Sequence, residues 1–173
     1  MKGLKVDNLR VEIAAGARTL VPVDGVSFTV DADECVALLG ESGCGKSMTA
    51  LAVMRLLPEG GRVTAGDARL ESVDLFGITE HAMGEVRGGR LGMIFQEPQT
   101  SLNPVMTVAE QIAEVLAEHR QLHGAAARAE AGRMIEAVGL APDKLDAYPF
   151  QLSGGERQRA LIAMMLAGEP EVL

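Results

Sequence analysis

The chain has 173 residues, 47% of them hydrophobic and 23% charged, with a formal net charge of −8. These proportions are those of an ordinary globular chain of about one domain, and no apolar run approaches the roughly 20 residues that span a bilayer. The acidic balance argues against a nucleic-acid partner, because such a partner requires a basic face. The two cysteines, Cys35 and Cys44, make no disulfide framework, so the chain is expected to be cytosolic and reduced.

Strands are predicted in the first part of the chain. Residues 4–13 alternate weakly, with a break at Asp7 and Asn8, and predict one arm of a hairpin. Residues 26–30 alternate apolar and polar side chains, as a half-buried strand does. Residues 35–39 form a continuous apolar run that ends at a glycine, and this predicts a strand covered on both faces.

Helical patterns dominate from there on. Residues 47–57 have helical spacing and end at a proline and two glycines, whereas residues 91–95 predict a second buried strand. Thr107 and Ser153 each precede a glutamate by three residues, which is the spacing of a capping box at a helix start. Residues 169–173 predict the opening of another buried strand. Beyond the second strand, helices are predicted over residues 107–123, 125–138 and 153–167.

Residues 40–47 read Gly-Glu-Ser-Gly-Cys-Gly-Lys-Ser between a predicted strand and a predicted helix, the context of a phosphate-binding loop. Glycines let backbone N–H groups turn inward, and the helix start adds the positive end of its dipole. Lys46 is expected to reach the β- and γ-phosphates of ATP, and Ser47 to bind Mg²⁺. A glycine turn that binds nothing is the alternative, but it gives no reason for the lysine and the serine. The predicted nucleotide-binding residues of the loop are Gly40, Glu41, Ser42, Gly43, Cys44, Gly45, Lys46, Ser47 and Met48.

A second motif, Leu-Ser-Gly-Gly-Glu-Arg-Gln, occupies residues 152–158. A serine hydroxyl and glycine amides at a helix start form another anion site. Following a phosphate loop, with Gln96 between the two, this motif resembles the signature sequence of ATP-binding cassette (ABC) proteins. The resemblance covers the whole chain. It implies an α/β P-loop NTPase of the ABC type, with a parallel core sheet, an N-terminal antiparallel β arm and a helical signature subdomain.

The resemblance also divides the chain into parts. Residues 1–95 would form the nucleotide-binding core with the β arm and the phosphate loop, and residues 96–168 the Q-loop and the helical signature subdomain. Residues 169–173 would begin the Walker B strand, so the chain is interpreted as incomplete at its C-terminus, before the Walker B aspartate. In the family sheet, residues 35–39 lie between two strands that come later in the sequence. This strand is therefore expected to lack its neighbours.

An incomplete cassette has a functional consequence. In the family, an aspartate that holds Mg²⁺ and a glutamate that polarises the attacking water follow the Walker B strand. Charge stabilisation and water positioning carry phosphoryl transfer. The intact family member is an ATP hydrolase coupled to transport, whereas the chain as given is expected to bind ATP but scarcely to hydrolyse it.

One cassette holds one nucleotide, so a second anion site needs a second subunit. In the family, two cassettes pack head to tail, and the signature of one closes over the nucleotide of the other. The implied partner is a second ABC ATP-binding subunit, identical or paralogous. Gln96 resembles the Q-loop glutamine, which touches Mg²⁺ and the attacking water, so Lys46 and Gln96 are assigned catalytic roles and Ser47 and Gln96 metal-binding roles. The signature residues expected to contact the partner's ATP are Ser153, Gly154, Gly155, Glu156 and Gln158.

Residues 95–104 and 148–155 resemble the ATP-binding subunits of dipeptide, oligopeptide and nickel importers. This branch implies a subunit that powers the import of peptides or a related small solute. Such a subunit lies at the cytoplasmic face of the inner (plasma) membrane and is held there by transmembrane permease subunits. Helices between residues 107 and 150 would form the groove that receives a coupling helix, and a solute-binding protein would take part indirectly.

The adenine site departs from the family pattern. An aromatic residue usually stacks on the base early in the chain, and here Ile13 occupies the matching position. Ile13 can cover the ring by apolar contact but lacks the aromatic increment of roughly 0.5–1.5 kcal/mol. Phe28 alternates with Val26 and Val30 and is interpreted as a core residue. Discrimination between nucleotides is therefore expected to be loose.

Three other classes of protein compete with the transport interpretation. A non-transport ABC ATPase of DNA repair or translation would carry a long coiled-coil insertion or a second cassette, and neither is seen here. A P-loop kinase or GTPase would not carry the signature motif. A purely structural protein with a decayed nucleotide site would not keep Lys46, Ser47 and Gln96 together.

Overall fold

The computed structural model describes residues 3–95 and 101–173. Gln96, to which the family resemblance gives catalytic and metal-binding roles, lies outside the described residues. Contacts divide the chain into two units, Met1–Met83 and Gly84–Leu173, and each has its own buried apolar side chains. In the part of the chain that is described, no helix is both long and apolar enough to cross a bilayer.

An antiparallel sheet forms the first unit. Its strands are β1 (Gly3–Ala15), β2 (Arg18–Asp31), β3 (Gly61–Leu70) and β4 (Val73–Asp74), in the spatial order β2-β1-β3-β4. The predicted hairpin arm and the predicted strand over residues 26–30 are confirmed as β1 and β2, and both strands are longer than predicted. The sequence pattern does not predict β3, because a glycine and several exposed small residues interrupt its alternation.

A bulge interrupts β1 at Asn8. The pairing register shifts here against both neighbouring strands, and Asn8 has a φ of 47°. Gly66, on the facing stretch of β3, has a φ of 85°, and a Cβ at this position would collide with the carbonyl of Asn8. Beyond the bulge, Leu9 and Val11 are fully buried. The break in alternation that the sequence contains is thus a local bulge in one continuous strand.

Helix α1 (Lys46–Val53) is shorter than the predicted 47–57. Just beyond its end, Arg55 adopts the left-handed conformation with a φ of 54°. Its guanidinium donates to the carbonyl oxygens of Leu75, at 3.4 Å, and Ile78, at 2.8 Å. The helix packs against β1, β2 and β3, so its first turn is fixed on the sheet. Its buried side chains are Thr49, Ala52 and Val53.

Residues 35–39 do not form the buried strand that the sequence predicts. No strand is assigned to them, and Leu39 exposes 91% of its surface. Val36 and Leu38 are also exposed. A strand needs neighbours that share its backbone hydrogen bonds, and none of the described strands pairs with this segment. The prediction of a strand covered on both faces is wrong for these residues.

Helices make up most of the second unit. They are α2 (Glu80–Val86), which begins in the first unit, α3 (Val108–Arg120), α4 (Gly124–Ala137) and α5 (Gly154–Leu166), with short 3-10 helices at Pro142–Asp146 and Pro149–Gln151. The capping boxes predicted at Thr107 and Ser153 are confirmed. Helices α3, α4 and α5 meet in one apolar core. Its buried members include Ile112, Leu116, Ile135, Leu140, Leu152 and Leu161.

Parallel pairing begins where the sequence predicts two further strands. Leu91 forms a parallel bridge with Val172, and the N–H of Gly92 donates to the Val172 carbonyl at 2.8 Å. The Arg90 guanidinium binds both carboxylate oxygens of Glu171, at 2.5 and 3.0 Å. Only short bridges are present over the described part of residues 91–95 and 169–173. They run in the direction that a parallel core sheet requires.

Candidate nucleotide site

The predicted phosphate loop lies directly before α1, and Gly45 caps this helix. Gly45 has a φ of 95° and a ψ of 2°, and a Cβ on it would collide with the carbonyl oxygen of Pro22. Glycine meets both requirements, because it tolerates positive φ and has no Cβ. Thr49, which the motif does not single out, donates its N–H and its hydroxyl to the Gly45 carbonyl, at 2.8 and 3.0 Å. The first N–H groups of α1, which lack partners within the helix, therefore follow directly on the loop.

The Lys46 side chain folds back onto the loop and binds its backbone. Its ammonium donates to the carbonyl oxygens of Gly40 and Glu41, each at 2.7 Å, and lies 3.5 Å from the Cys44 sulfur. A Cβ on Gly40 would collide with that sulfur, so the turn is shaped for glycine at this point too. The loop thus wraps around a single positive charge. A positive charge beside a glycine-rich loop at a helix start is the combination that phosphate-binding loops use.

The other predicted loop residues are open to solvent. Gly40, Glu41, Ser42, Gly43, Cys44 and Ser47 are exposed, whereas Gly45, Lys46 and Met48 are half-buried. Gly43 has a φ of 83°, and a Cβ on it would meet no neighbouring atom within 4 Å. The structure brings these residues together around the start of α1. It leaves their outer side free for a ligand.

Ile13, the predicted adenine contact, lies near the end of β1. It is half-buried and pairs with Leu20 on β2 and with Gly61 on β3. Phe28, interpreted from the sequence as a core residue, is half-buried in β2 and pairs with Val6. The adenine contact of Ile13 stays a prediction.

Cys44 offers a chemical test of the loop. Alkylation of the thiol by N-ethylmaleimide should block ATP binding, because the sulfur lies beside the Lys46 ammonium. Bound ATP should in turn slow the alkylation of Cys44. Cys35 is the matched control, since it is also exposed but lies outside the loop, and ATP should not change its rate. Mass spectrometry of the two cysteine peptides measures both rates, and equal rates at Cys44 with and without ATP would contradict its place in the site.

The second motif forms the N-terminus of α5. Ser153 caps the helix: its hydroxyl accepts from the Glu156 N–H at 3.3 Å, and its own N–H donates to the Glu156 carboxylate at 2.7 Å. Ser153, Gly154, Gly155 and Gln158 are exposed, and Glu156 is half-buried. The predicted signature residues thus share one open helix start. Such a start is an anion-binding site in general terms.

Glu156 carries its charge under all ordinary conditions. The Ser153 N–H, followed by the Ser153 hydroxyl, lowers the pKa of this carboxyl from its ordinary value of 4.5 to about 2. Burial acts in the opposite direction, and the Lys144 ammonium, 3.5 Å away, adds to the lowering. The charged carboxylate therefore accepts the hydrogen bond of the Ser153 N–H at the start of α5, and this helix start is also open to solvent.

The lowered pKa of Glu156 predicts a pH dependence of stability. A carboxyl whose pKa falls on folding stabilises the fold above its unfolded pKa and loses that effect as the pH falls towards the folded pKa. The difference in unfolding free energy between wild type and Glu156→Gln should therefore be constant above about pH 5. It should shrink as the pH falls from 4.5 to about 2. Urea unfolding at a series of pH values measures it, and a difference that persists unchanged in acid would contradict the role of the charge.

Arg157 belongs to this motif but is not among the predicted signature contacts. Its Nε–H donates to the carbonyl oxygens of Pro149, at 2.8 Å, and Leu152, at 3.0 Å, and so ties the preceding turn to α5. The two signature glycines have no such internal role. Neither has a positive φ, and a Cβ on Gly154 or Gly155 would meet nothing within 4 Å. The fold of this unit therefore does not itself require glycine at these two positions.

Comparison with known proteins agrees with the two motifs. The family described as "ABC transporter" matches residues 23–173. The oligopeptide transport ATP-binding protein AppD of Bacillus subtilis (strain 168) is 43% identical over 173 residues, which covers 98% of this chain and 53% of AppD. The dipeptide transport ATP-binding protein DppD of the same organism is 43% identical over 176 residues, with 99% and 52% covered. The chain belongs to the ABC transporter family and spans about half the length of these two relatives.

A solved structure agrees with the predicted fold. The ATP-binding cassette MJ0796, in a dimeric post-hydrolysis state bound to ADP and Pi, matches with a TM-score of 0.85 and 24% identity. The match covers 96% of this chain and 70% of that one. The predicted ABC-type ATPase fold, with its antiparallel β arm and its helical part, is confirmed.

Proposed function

We propose that this chain is the nucleotide-binding part of an ATP-hydrolysing subunit that powers the import of peptides or a related small solute. The observation that carries the proposal is the glycine-shaped loop closed around the Lys46 ammonium at the start of α1. This loop belongs to a chain that is similar over nearly its whole length to transport ATP-binding proteins for oligopeptides and dipeptides. A non-transport ABC ATPase is the alternative, and these relatives do not favour it.

The loop residues fit a magnesium nucleotide. Lys46 would exchange the carbonyl oxygens of Gly40 and Glu41 for the β- and γ-phosphates, while the N–H groups at the start of α1 hold the same phosphates. Ser47 and Gln96 would hold Mg²⁺, which neutralises phosphate charge when it is bound. Gln96 would also orient the attacking water. Ile13 and Met48 would cover the nucleotide by apolar contact.

The signature would contact a nucleotide held by a second ABC ATP-binding subunit. Gly154 and Gly155 support this contact. No neighbouring atom within the unit requires glycine at either position, whereas the close approach of another molecule would require it. Ser153 would offer its hydroxyl to the γ-phosphate, with Glu156 and Gln158 beside it. The similar cassette MJ0796 is a dimer. Nucleotide binding would then favour the closed dimer, and hydrolysis would loosen it.

A groove between α3 and α4 supports a membrane-bound assembly. Its volume is about 450 Å³, and Val105 at its rim exposes 78% of its surface. The apolar lining suits a coupling helix from transmembrane permease subunits. The subunit would then lie peripherally at the cytoplasmic face of the inner membrane, with a solute-binding protein involved indirectly. Apolar residues along the groove include Met106, Ala113, Ala117, Leu122 and Ala127.

Reconstitution tests the transport function. The full-length protein and its permease subunits, placed in vesicles with a solute-binding protein, should accumulate labelled short peptides only with Mg·ATP. A matched assembly that carries Lys46→Ala should neither hydrolyse ATP nor accumulate peptide. ATP hydrolysis without uptake of any di- or oligopeptide would contradict peptide import and favour another solute.

A further inference from the structure

Two exposed aromatic side chains precede the signature helix. The rings of Tyr148 and Phe150 stack with their centroids 5.7 Å apart and an angle of 12° between their planes. Phe150 exposes 71% of its surface and Tyr148 exposes 37%. An aromatic ring gains most when its large apolar area is covered, and Phe150 forgoes most of this gain within its own chain. A stacked pair of this kind presents a flat apolar surface on which another planar ring can pack.

Hydrogen bonds hold the aromatic pair in a fixed place. The Gln151 side-chain oxygen accepts from the Tyr148 N–H at 2.8 Å, and the Gln151 N–H donates to the Tyr148 carbonyl at 2.9 Å. Arg157, in the first turn of α5, donates to the carbonyl oxygens of Pro149 and Leu152 on the same turn of chain. The pair is therefore tied to the signature helix start and does not need to be ordered when a ligand arrives.

The spacing along the chain suits one particular ligand. Phe150 comes three residues before Ser153, so their Cα atoms are at most about 10 Å apart. A nucleotide whose γ-phosphate lay at Ser153 would extend beyond this distance through its triphosphate and ribose, so its base could reach the Phe150 ring. The base contact expected within the subunit that holds the nucleotide is the aliphatic Ile13. One face of the base then has no aromatic partner from its own subunit.

We propose that Phe150, backed by Tyr148, stacks on the base of the nucleotide that the facing subunit holds. The ligand class is a nucleoside triphosphate, and the contact selects for a planar base across the dimer interface. The inference rests on the proposed function, because it requires the signature to face a partner's nucleotide. In this arrangement one subunit binds the phosphates of the nucleotide through its phosphate loop. The other subunit contributes Phe150, which determines specificity for the base.

The test compares two nucleotides in the full-length protein. In the Phe150→Ala variant, the ATP concentration for half-maximal dimer formation should rise about two- to tenfold, the range that an aromatic contact is worth. The corresponding concentration of ribose 5′-triphosphate, which has no base, should not change. Calorimetric binding of ATP to the monomer should also not change. Phe150→Trp should restore the wild-type value for ATP, and Leu56→Ala, an exposed apolar residue beyond the end of α1, is the matched control.

Two results would overturn the proposal. An equal shift for ATP and ribose 5′-triphosphate would mean that Phe150 shapes the signature turn and does not touch the base. Unchanged dimer formation combined with reduced transport would mean that the aromatic pair contacts the membrane subunits. A failure of the proposed function is distinguishable, because Ser153→Arg would then leave nucleotide-driven dimer formation intact.

Discussion

Replacing Lys46 by alanine should weaken Mg·ATP binding to the full-length protein by about 10- to 100-fold. The ammonium is the charge around which the loop closes, with the carbonyl oxygens of Gly40 and Glu41 at 2.7 Å. Its loss removes a charge-assisted hydrogen bond to phosphate, which is worth about 1.5–3 kcal/mol. Isothermal titration calorimetry measures the change.

A matched variant separates this effect from a general loss of positive charge. Lys5→Ala removes the same charge from β1, where Lys5 pairs with Asp7 at the surface. It should leave ATP affinity at the wild-type value. Equal affinities for wild type and Lys46→Ala would sink the assignment of the phosphate site. Equal losses of ATP affinity in the two lysine variants would mean that the change in net charge alone causes the effect.

Ser153→Arg should abolish nucleotide-driven dimer formation and ATP turnover while leaving ATP binding to the monomer nearly intact. Ser153 lies exposed at the open start of α5, with no neighbouring atom within 4 Å of a Cβ on either glycine that follows. An arginine here would place bulk where the partner's γ-phosphate is expected. Light scattering with and without ATP measures dimer formation, and phosphate release measures turnover. Ser72→Arg, in the exposed turn between β3 and β4, is the control and should change neither.

Mixed dimers of two variants give a sharper version of this test, where the partner is a second copy. Each composite site would take Lys46 from one subunit and Ser153 from the other. A dimer of one Lys46→Ala subunit and one Ser153→Arg subunit would then hold both defects in one site and leave the second site intact. A dimer of a wild-type subunit and a doubly substituted one would have a defect in each site. Equal turnover by the two mixed dimers would contradict the cross-subunit arrangement.

Local rules predicted the parts of the fold that depend on neighbouring residues. The capping boxes at Thr107 and Ser153 follow from a four-residue pattern, and both helices start where that pattern places them. The end of α1 does not follow from its own residues, because Arg55 is held by the carbonyl groups of Leu75 and Ile78, which follow β4 and lie 20 and 23 positions away along the chain. Long-range pairing likewise explains why the sequence pattern does not predict β3, and residues 35–39, which pair with none of the described strands, form no strand.

The candidate site also has a part that follows from consecutive residues and a part that does not. The spacing of Gly40, Gly45, Lys46 and Ser47 predicts a phosphate loop, because its chemistry is written in consecutive residues. The sequence does not say that Pro22 excludes a Cβ at Gly45 or that Arg157 ties the signature turn. Those contacts depend on packing across the sheet and on side-chain reach. A motif thus identifies the groups that bind a ligand better than the groups that support them.

The closed loop around Lys46 bears on the rate at which nucleotide leaves. When a nucleotide leaves, a lysine with no other hydrogen-bond partner would have to be hydrated by solvent. Here the Gly40 and Glu41 carbonyls give the ammonium a resting place 2.7 Å away on the same loop. On the proposed function, departure of the nucleotide and return of the lysine to these carbonyl groups would be one exchange of hydrogen-bond partners, so the ammonium would not have to be hydrated between the two.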